Sequence, residues 1–177
     1  MMGKARFAVL LLSAGLLLGG CGANKAEGPP AGGTDAGADH VHDSRKQLAN
    51  GDLREVTASA DVLPAFLDGQ TKEIRTVYAL AAQVSDVLPW IPCYCGCGES
   101  AGHKSNLNCF INEVREDGSI EWDDHGTRCG VCLDIAVESA KMKSEGKSLT
   151  EIRQTIDEKY KTGYAKPTPT PMPKEAN

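Results

Sequence analysis

Six of the chain's seven cysteines lie between residues 93 and 132, and their spacing is the chemistry to be explained. Pro92-Cys93-Tyr94-Cys95-Gly96-Cys97-Gly98 sets three thiols at alternate positions. Alternate side chains of an extended segment share a face, so the three sulfurs meet at one point only if Gly96 and Gly98 bend the backbone around it. Neighbours at such spacing close a disulfide on each other only with strain, so they need partners from elsewhere. Those partners are Cys109, expected in a strand, and the pair Cys129-Gly130-Val131-Cys132. A Cys-x-x-Cys at a helix start holds its first thiol near free N–H groups and the positive end of the dipole. That lowers the thiol pKa and makes the group reactive or a ligand.

Two histidines, His103 and His125, sit among these cysteines, while His40 and His42 belong to a polar stretch and read as solvated, with transient metal capture as the alternative. Thiolates select copper(I), zinc or iron–sulfur clusters, and imidazole suits copper and zinc. The first reading is therefore a soft-metal site, copper(I) ahead of zinc, made by Cys93, Cys95, Cys97, Cys109, Cys129 and Cys132 with His103 and His125 at its edge. A second reading is thiol–disulfide exchange through Cys129 and Cys132. A third is three disulfides stapling a small domain. Close spacing speaks against staples, which stabilise most when they close long loops. No Gly-x-Ser-x-Gly or His-Glu-x-x-His occurs, so no hydrolase centre is assigned.

The elements that would position these groups are mostly helical. Ile74, Val77, Tyr78, Ala81, Val84 and Leu88 recur at three- and four-residue steps and predict a helix over 71–88, stopped by Pro89. Residues 109–114 and 120–122 flank Asp117-Gly118 and predict a short hairpin. Val131, Ile135, Val137, Ala140 and Met142 predict a helix over 130–144, closed at Gly146. Ser148 and Glu151 look like a capping box opening a last helix over 149–161. The expected fold is mainly α: a small helical bundle with a two-stranded hairpin and a cysteine-rich loop. Val77, Tyr78, Ala81, Val84, Ile135, Ile152 and Ile156 would form its core, with Trp90 and Trp122 shielding the cysteines. Acidic residues crowd positions 113–124 and read as a solvated hairpin surface, Asp123 and Asp124 also being placed to support His125.

The ends of the chain read differently. Lys4 and Arg6, an apolar run over 7–18 and Leu18-Gly19-Gly20-Cys21 resemble a lipoprotein leader over 1–20, with Cys21 as the lipidated first residue of the mature chain. Residues 21–51 would then be a flexible tether, 52–164 the cysteine-rich domain, and 165–177 a disordered Pro-rich tail. This puts the domain on the outer face of a cell membrane, with a metalloprotein or a redox client as partner. A net charge of −5 argues against nucleic acid, which needs a concentrated basic face.

Taken together, Leu63-Pro64-Ala65-Phe66-Leu67, Pro92 to Cys97, Gly102-His103, Cys109-Phe110, Asp117-Gly118, Trp122-Asp123, His125-Gly126 and Cys129 to Cys132 resemble the bacterial lipoproteins named for the PCYCGC motif. That family is a domain of unknown function, so the resemblance implies kinship and not activity. A second likeness covers residues 128–160 alone. Arg128-Cys129-Gly130-Val131-Cys132 and the helical segment after it are similar to the thiol-reductase subunit of cytochrome c maturation, which implies Cys129 and Cys132 as a redox pair. The cysteines upstream have no counterpart in that family.

Overall fold

In the computed structural model, which describes residues 44–174, the chain opens with two antiparallel strands, β1 (Arg45–Gln47) and β2 (Leu53–Thr57), that reverse at Gly51 with φ 89°. Helix α1 (Lys72–Gln83) follows, started by Thr71, whose side chain accepts the Ile74 N–H. The cysteine loop leads into a single helical turn, α2 (Cys97–Ser100), and then into the hairpin of β3 (Ile111–Val114) and β4 (Ile120–Asp123). Gly118, at φ 86°, makes that hairpin's reversal. Helices α3 (Gly130–Ser144) and α4 (Leu149–Tyr160) complete the order, the second opened by a capping box between Ser148 and Glu151.

The four strands form one antiparallel sheet in the order β1-β2-β4-β3, with Arg54 opposite Asp123, Glu55 opposite Trp122 and Thr57 opposite Ile120. The expected mainly helical bundle with a two-stranded hairpin is therefore overturned: this is a mixed α/β fold. The physical reason is that β1 and β2 are short and carry charged residues on half-exposed faces. The second partner of β2, β4, lies more than sixty residues away. Local periodicity carries no trace of such a ladder. Strand β1 also begins inside the stretch read as tether. The leader, Cys21, His40 and His42 lie outside the described residues.

Sheet and helices meet on an aromatic core. Tyr78 of α1, fully buried, packs edge-on against Phe66 and Phe110 and tilts against Trp122 of β4. Its hydroxyl donates to the Asp123 carbonyl at 2.8 Å. The Trp122 indole N–H donates to Thr57 Oγ1 at 2.7 Å. Helix α3 packs against both α1 and α4, burying Ile135, Ala136, Ile152 and Ile156. Of the core expected from the sequence only Val77 is partly exposed.

Residues 165–174 do not behave as a free tail. The Thr168 N–H donates to the Cys93 carbonyl at 3.1 Å, and Thr168 Oγ1 accepts the Cys93 N–H at 2.9 Å. Arg153 of α4, 8% exposed, donates to the carbonyls of Trp90, Thr170 and Pro171, so one guanidinium ties helix, loop and tail together. Proline fixes an extended backbone that still offers carbonyls, and the two threonines supply the polar pairing.

A close approach at Gly126 carries the end of β4 past Cys109. A methyl group there would lie 2.7 Å from the Phe110 ring and 2.8 Å from the Cys109 carbonyl. Gly126→Ala is expected to cost about 1–3 kcal/mol by overpacking, measured as a lowered midpoint in urea unfolding of the metal-free protein. A variant as stable as the parent would mean that this junction yields freely.

Candidate metal centre

The cysteine loop is shaped by its backbone before any sulfur is considered. Ile91 and Pro92 are buried as it leaves the turn over Leu88–Trp90, and the Ile91 carbonyl accepts the Asn106 N–H at 2.8 Å. Gly96 adopts φ 88° and turns the chain into α2. Of the two expected glycine bends, this one brings Cys95 and Cys97 round to Cys93. Gly98 serves a different end. A Cβ there would meet the Thr168 side chain at 2.9 Å, so its lack of a side chain lets the C-terminal segment lie on the loop. Tyr94 points the other way, donating to Asp157 at 2.7 Å and stacking on Tyr160, which pins the loop to α4.

Cys109 ends a 3-10 turn over Asn106–Cys109 rather than sitting in β3, and Asn106, fully buried, donates to the Cys132 carbonyl at 3.3 Å. Cys129 is the N-cap of α3, where its sulfur accepts the Cys132 N–H at 3.4 Å. That is the helix-start placement expected of a Cys-x-x-Cys.

All six sulfurs form one connected cluster. Cys93 lies 2.9 Å from Cys97, 3.4 Å from Cys132 and 3.8 Å from Cys109, and Cys109 lies 3.1 Å from Cys132 and 3.9 Å from Cys97. These four side chains are at most 1% exposed. An ion with metal–sulfur bonds of about 2.3 Å in tetrahedral geometry sets its sulfurs about 3.8 Å apart, so this quartet approximates a closed tetrahedral shell. Outside it, Cys95 is 3.1 Å from Cys93 and 3.5 Å from Cys132, and Cys129 is 2.7 Å from Cys132. Two further groups have the span of a metal site, Cys95-Cys129-Cys132 and Cys95-Cys97-His125. Cys95, Cys97 and Cys132 are each shared between groups. Shared sulfurs are what a polynuclear cluster requires.

Protonation follows the packing. Hydrogen bonds from Cys129 and then Cys132 hold the Cys95 thiol far below its ordinary value, and those from Cys132 and Cys93 do the same for Cys109. Cys93, Cys97 and Cys132 are pushed up, each first by its contact with Cys109. Without metal the cluster thus divides into acceptor thiolates and donor thiols. Cys129 does not show the depressed pKa expected at a helix start. The Cys132 hydrogen bond lowers it, but contact with Cys95 and burial outweigh that and leave it at about 11.

Both histidines lie at the cluster. His103 Nδ1 is 3.4 Å from Cys109 Sγ, and the His103 ring meets the His125 ring edge-on at 4.6 Å. His125 Nδ1 is 3.1 Å from Asp52 Oδ1. This is the arrangement in which a carboxylate orients an imidazole. Asp123, read as surface, is fully buried. It accepts the His125 backbone N–H at 3.0 Å and the Arg54 side chain at 3.0 Å, while Asp124 accepts Leu53 N–H and Arg128. The residue that sequence reasoning missed is Asp52, held between Arg128 and His125. Its only local signal is that it immediately precedes β2. Trp90 braces the loop through its carbonyl, which accepts the Arg153 side chain, and Trp122 is fully buried in the sheet in one core cluster with the buried cysteines.

Compared with known proteins, the chain matches one family, described as a protein of unknown function with PCYCGC motif, over residues 9–173. No curated protein and no solved structure matches it, and the likeness of residues 128–160 to the thiol-reductase subunit finds no support.

The Cys95 thiolate first, then the field of Cys109 and the Asp52 carboxylate, hold His125 up at about 9 against the lowering effect of burial. Its pKa is raised on folding, so the stabilisation it contributes is present below 6.5 and lost as the pH climbs through about 9. In reduced, metal-free protein an NMR titration should find this imidazole protonated well above pH 7, and Cys95→Ser should return it toward the ordinary histidine range. An unchanged titration in that variant would remove the Cys95 thiolate as the cause.

Proposed function

We propose that this protein, which belongs to the PCYCGC-motif family, holds a soft-metal cluster in its six thiolates, copper(I) before zinc, and serves as a carrier, buffer or assembly factor. One observation carries the reading: six sulfurs from three separate stretches of chain stand within 2.7 to 3.9 Å of their neighbours. Carbon atoms in ordinary contact settle about 3.5–4.0 Å apart and sulfur is larger, so the sulfurs crowd closer than ordinary packing brings them, which supports a common site. Burial adds a charge argument. Thiolates without a counter-ion are costly in an apolar core, and soft monovalent copper or zinc is the cation that thiolates select.

The apolar leader ending at Cys21 supports a lipid anchor on the outer face of a membrane. No helix among the described residues is long and apolar enough to cross one. A metalloprotein that receives or supplies the ion is the partner this reading implies, and the acidic chain speaks against nucleic acid. The second reading, thiol–disulfide exchange with a redox client, draws on the 2.7 Å gap between Cys129 and Cys132. It leaves the buried quartet without a purpose.

The test uses the full chain in detergent, since residues 165–174 pack on the loop. Anaerobic loading with copper(I) should give more than one ion per chain and protect all six thiols from alkylation. Cys132→Ser, which removes a sulfur shared by two groups, should lower the copper count further than Cys129→Ser, which leaves the buried quartet whole. Metal-free protein with a single redox-active pair would favour exchange instead, and three disulfides with no metal would sink both.

A further inference from the structure

We infer that Asp52, His103 and His125 form a second metal position of different chemistry, for a borderline divalent ion such as Zn²⁺ or Cu²⁺, on the flank of the sulfur cluster. One ring nitrogen of each histidine and one carboxylate oxygen of Asp52 lie within 4.8 Å of one another. His103 is 4% exposed, and with Nδ1 facing Cys109 its Nε2 is buried without any hydrogen-bond partner. An orphaned buried imidazole nitrogen calls for a missing partner.

The other two groups already have the right separation. Metal–nitrogen and metal–oxygen bonds of about 2.0–2.2 Å set tetrahedral ligands about 3.4 Å apart, and His125 Nδ1 stands 3.1 Å from Asp52 Oδ1. An ion would replace the proton between them. Charge favours it as well. The Asp52 side chain is 3% exposed and its carboxylate clusters with those of Asp123 and Asp124. Arg54 and Arg128 pair with this group from its margin. Two imidazoles and a carboxylate suit Zn²⁺ or Cu²⁺, where the neighbouring thiolates suit copper(I). Three protein ligands leave a fourth position open, and the His125 side chain, 20% exposed, gives that position a way to solvent.

The position uses no sulfur, so it stands or falls separately from the thiolate cluster. Co²⁺ is the probe, because cobalt bound by thiolate shows an intense near-ultraviolet charge-transfer band that nitrogen and oxygen ligands do not give. Anaerobic titration of the copper(I)-saturated full chain should bind one further Co²⁺ with visible ligand-field bands and no charge-transfer band. Asp52→Asn should weaken that Co²⁺ by at least about tenfold, with the copper(I) count and the circular dichroism unchanged, and His103→Gln should weaken the Co²⁺ by as much. No bound Co²⁺, or Co²⁺ carrying the thiolate band, overturns the inference whatever the variants do. Should copper(I) fail to load, the soft-metal reading falls instead, and the Co²⁺ spectrum of the metal-free chain decides this one by the same criterion.

Discussion

Four thiol side chains with almost no exposure to solvent, packed sulfur against sulfur, cannot all ionise in an apolar interior unless positive charge sits among them. Among the described residues, the hydrogen bonds of Cys93, Cys97, Cys109 and Cys132 through sulfur run to one another, to Cys95, Cys129 and His103, and to no lysine or arginine. Arg54 and Arg128, on the histidine flank, are occupied with Asp52, Asp123 and Asp124. A buried thiolate left unpaired costs several kcal/mol or regains its proton. The centre therefore has a choice between staying largely protonated and taking up a cation, which is the balance a metal-exchanging site needs.

Three parts of the fold contribute sulfurs to that centre. A loop bent at Gly96 brings three sulfurs, the turn before β3 brings Cys109, and the start of α3 brings the last two. The sheet contributes no sulfur, yet it sets the flank. Asp52 precedes β2 and His125 follows β4, and these strands are paired side by side. Aromatic packing around Tyr78 fixes the sheet against α1, and its hydrogen bond to Asp123 holds the segment from which His125 projects. The C-terminal residues then close the loop from outside through Thr168 and Arg153.

Exposure grades across the cluster. The quartet is closed, while Cys95, Cys129 and His125 are only partly covered. An ion entering from solvent would meet the outer thiols first, and the shared sulfurs offer a stepwise path inward by ligand exchange. Imidazole and carboxylate lie together on one flank of the sulfurs, with Asp52 and His103 buried there and His125 partly exposed.

Helices α1, α3 and α4 were legible because their signals are local, an apolar residue every three or four positions with Thr71 and Ser148 as caps, although α1 ends at Gln83 and not at Leu88, the end expected from Pro89. The hairpin announced itself through Asp117-Gly118. So did the prospect of sulfurs gathering, since Cys-x-Cys-x-Cys and Cys-x-x-Cys are written in consecutive residues. Strands β1 and β2 were not legible, nor was the ordered tail, because a ladder between Arg54 and Asp123 or a pairing between Thr168 and Cys93 leaves no period within either segment. Asp52 stayed hidden for the same reason. Residue types and near-neighbour spacing determine which atoms can bind a metal; which of them share one place, and which carboxylate faces which imidazole, is decided by contacts between segments dozens of residues apart, and only the folded chain brings those into being.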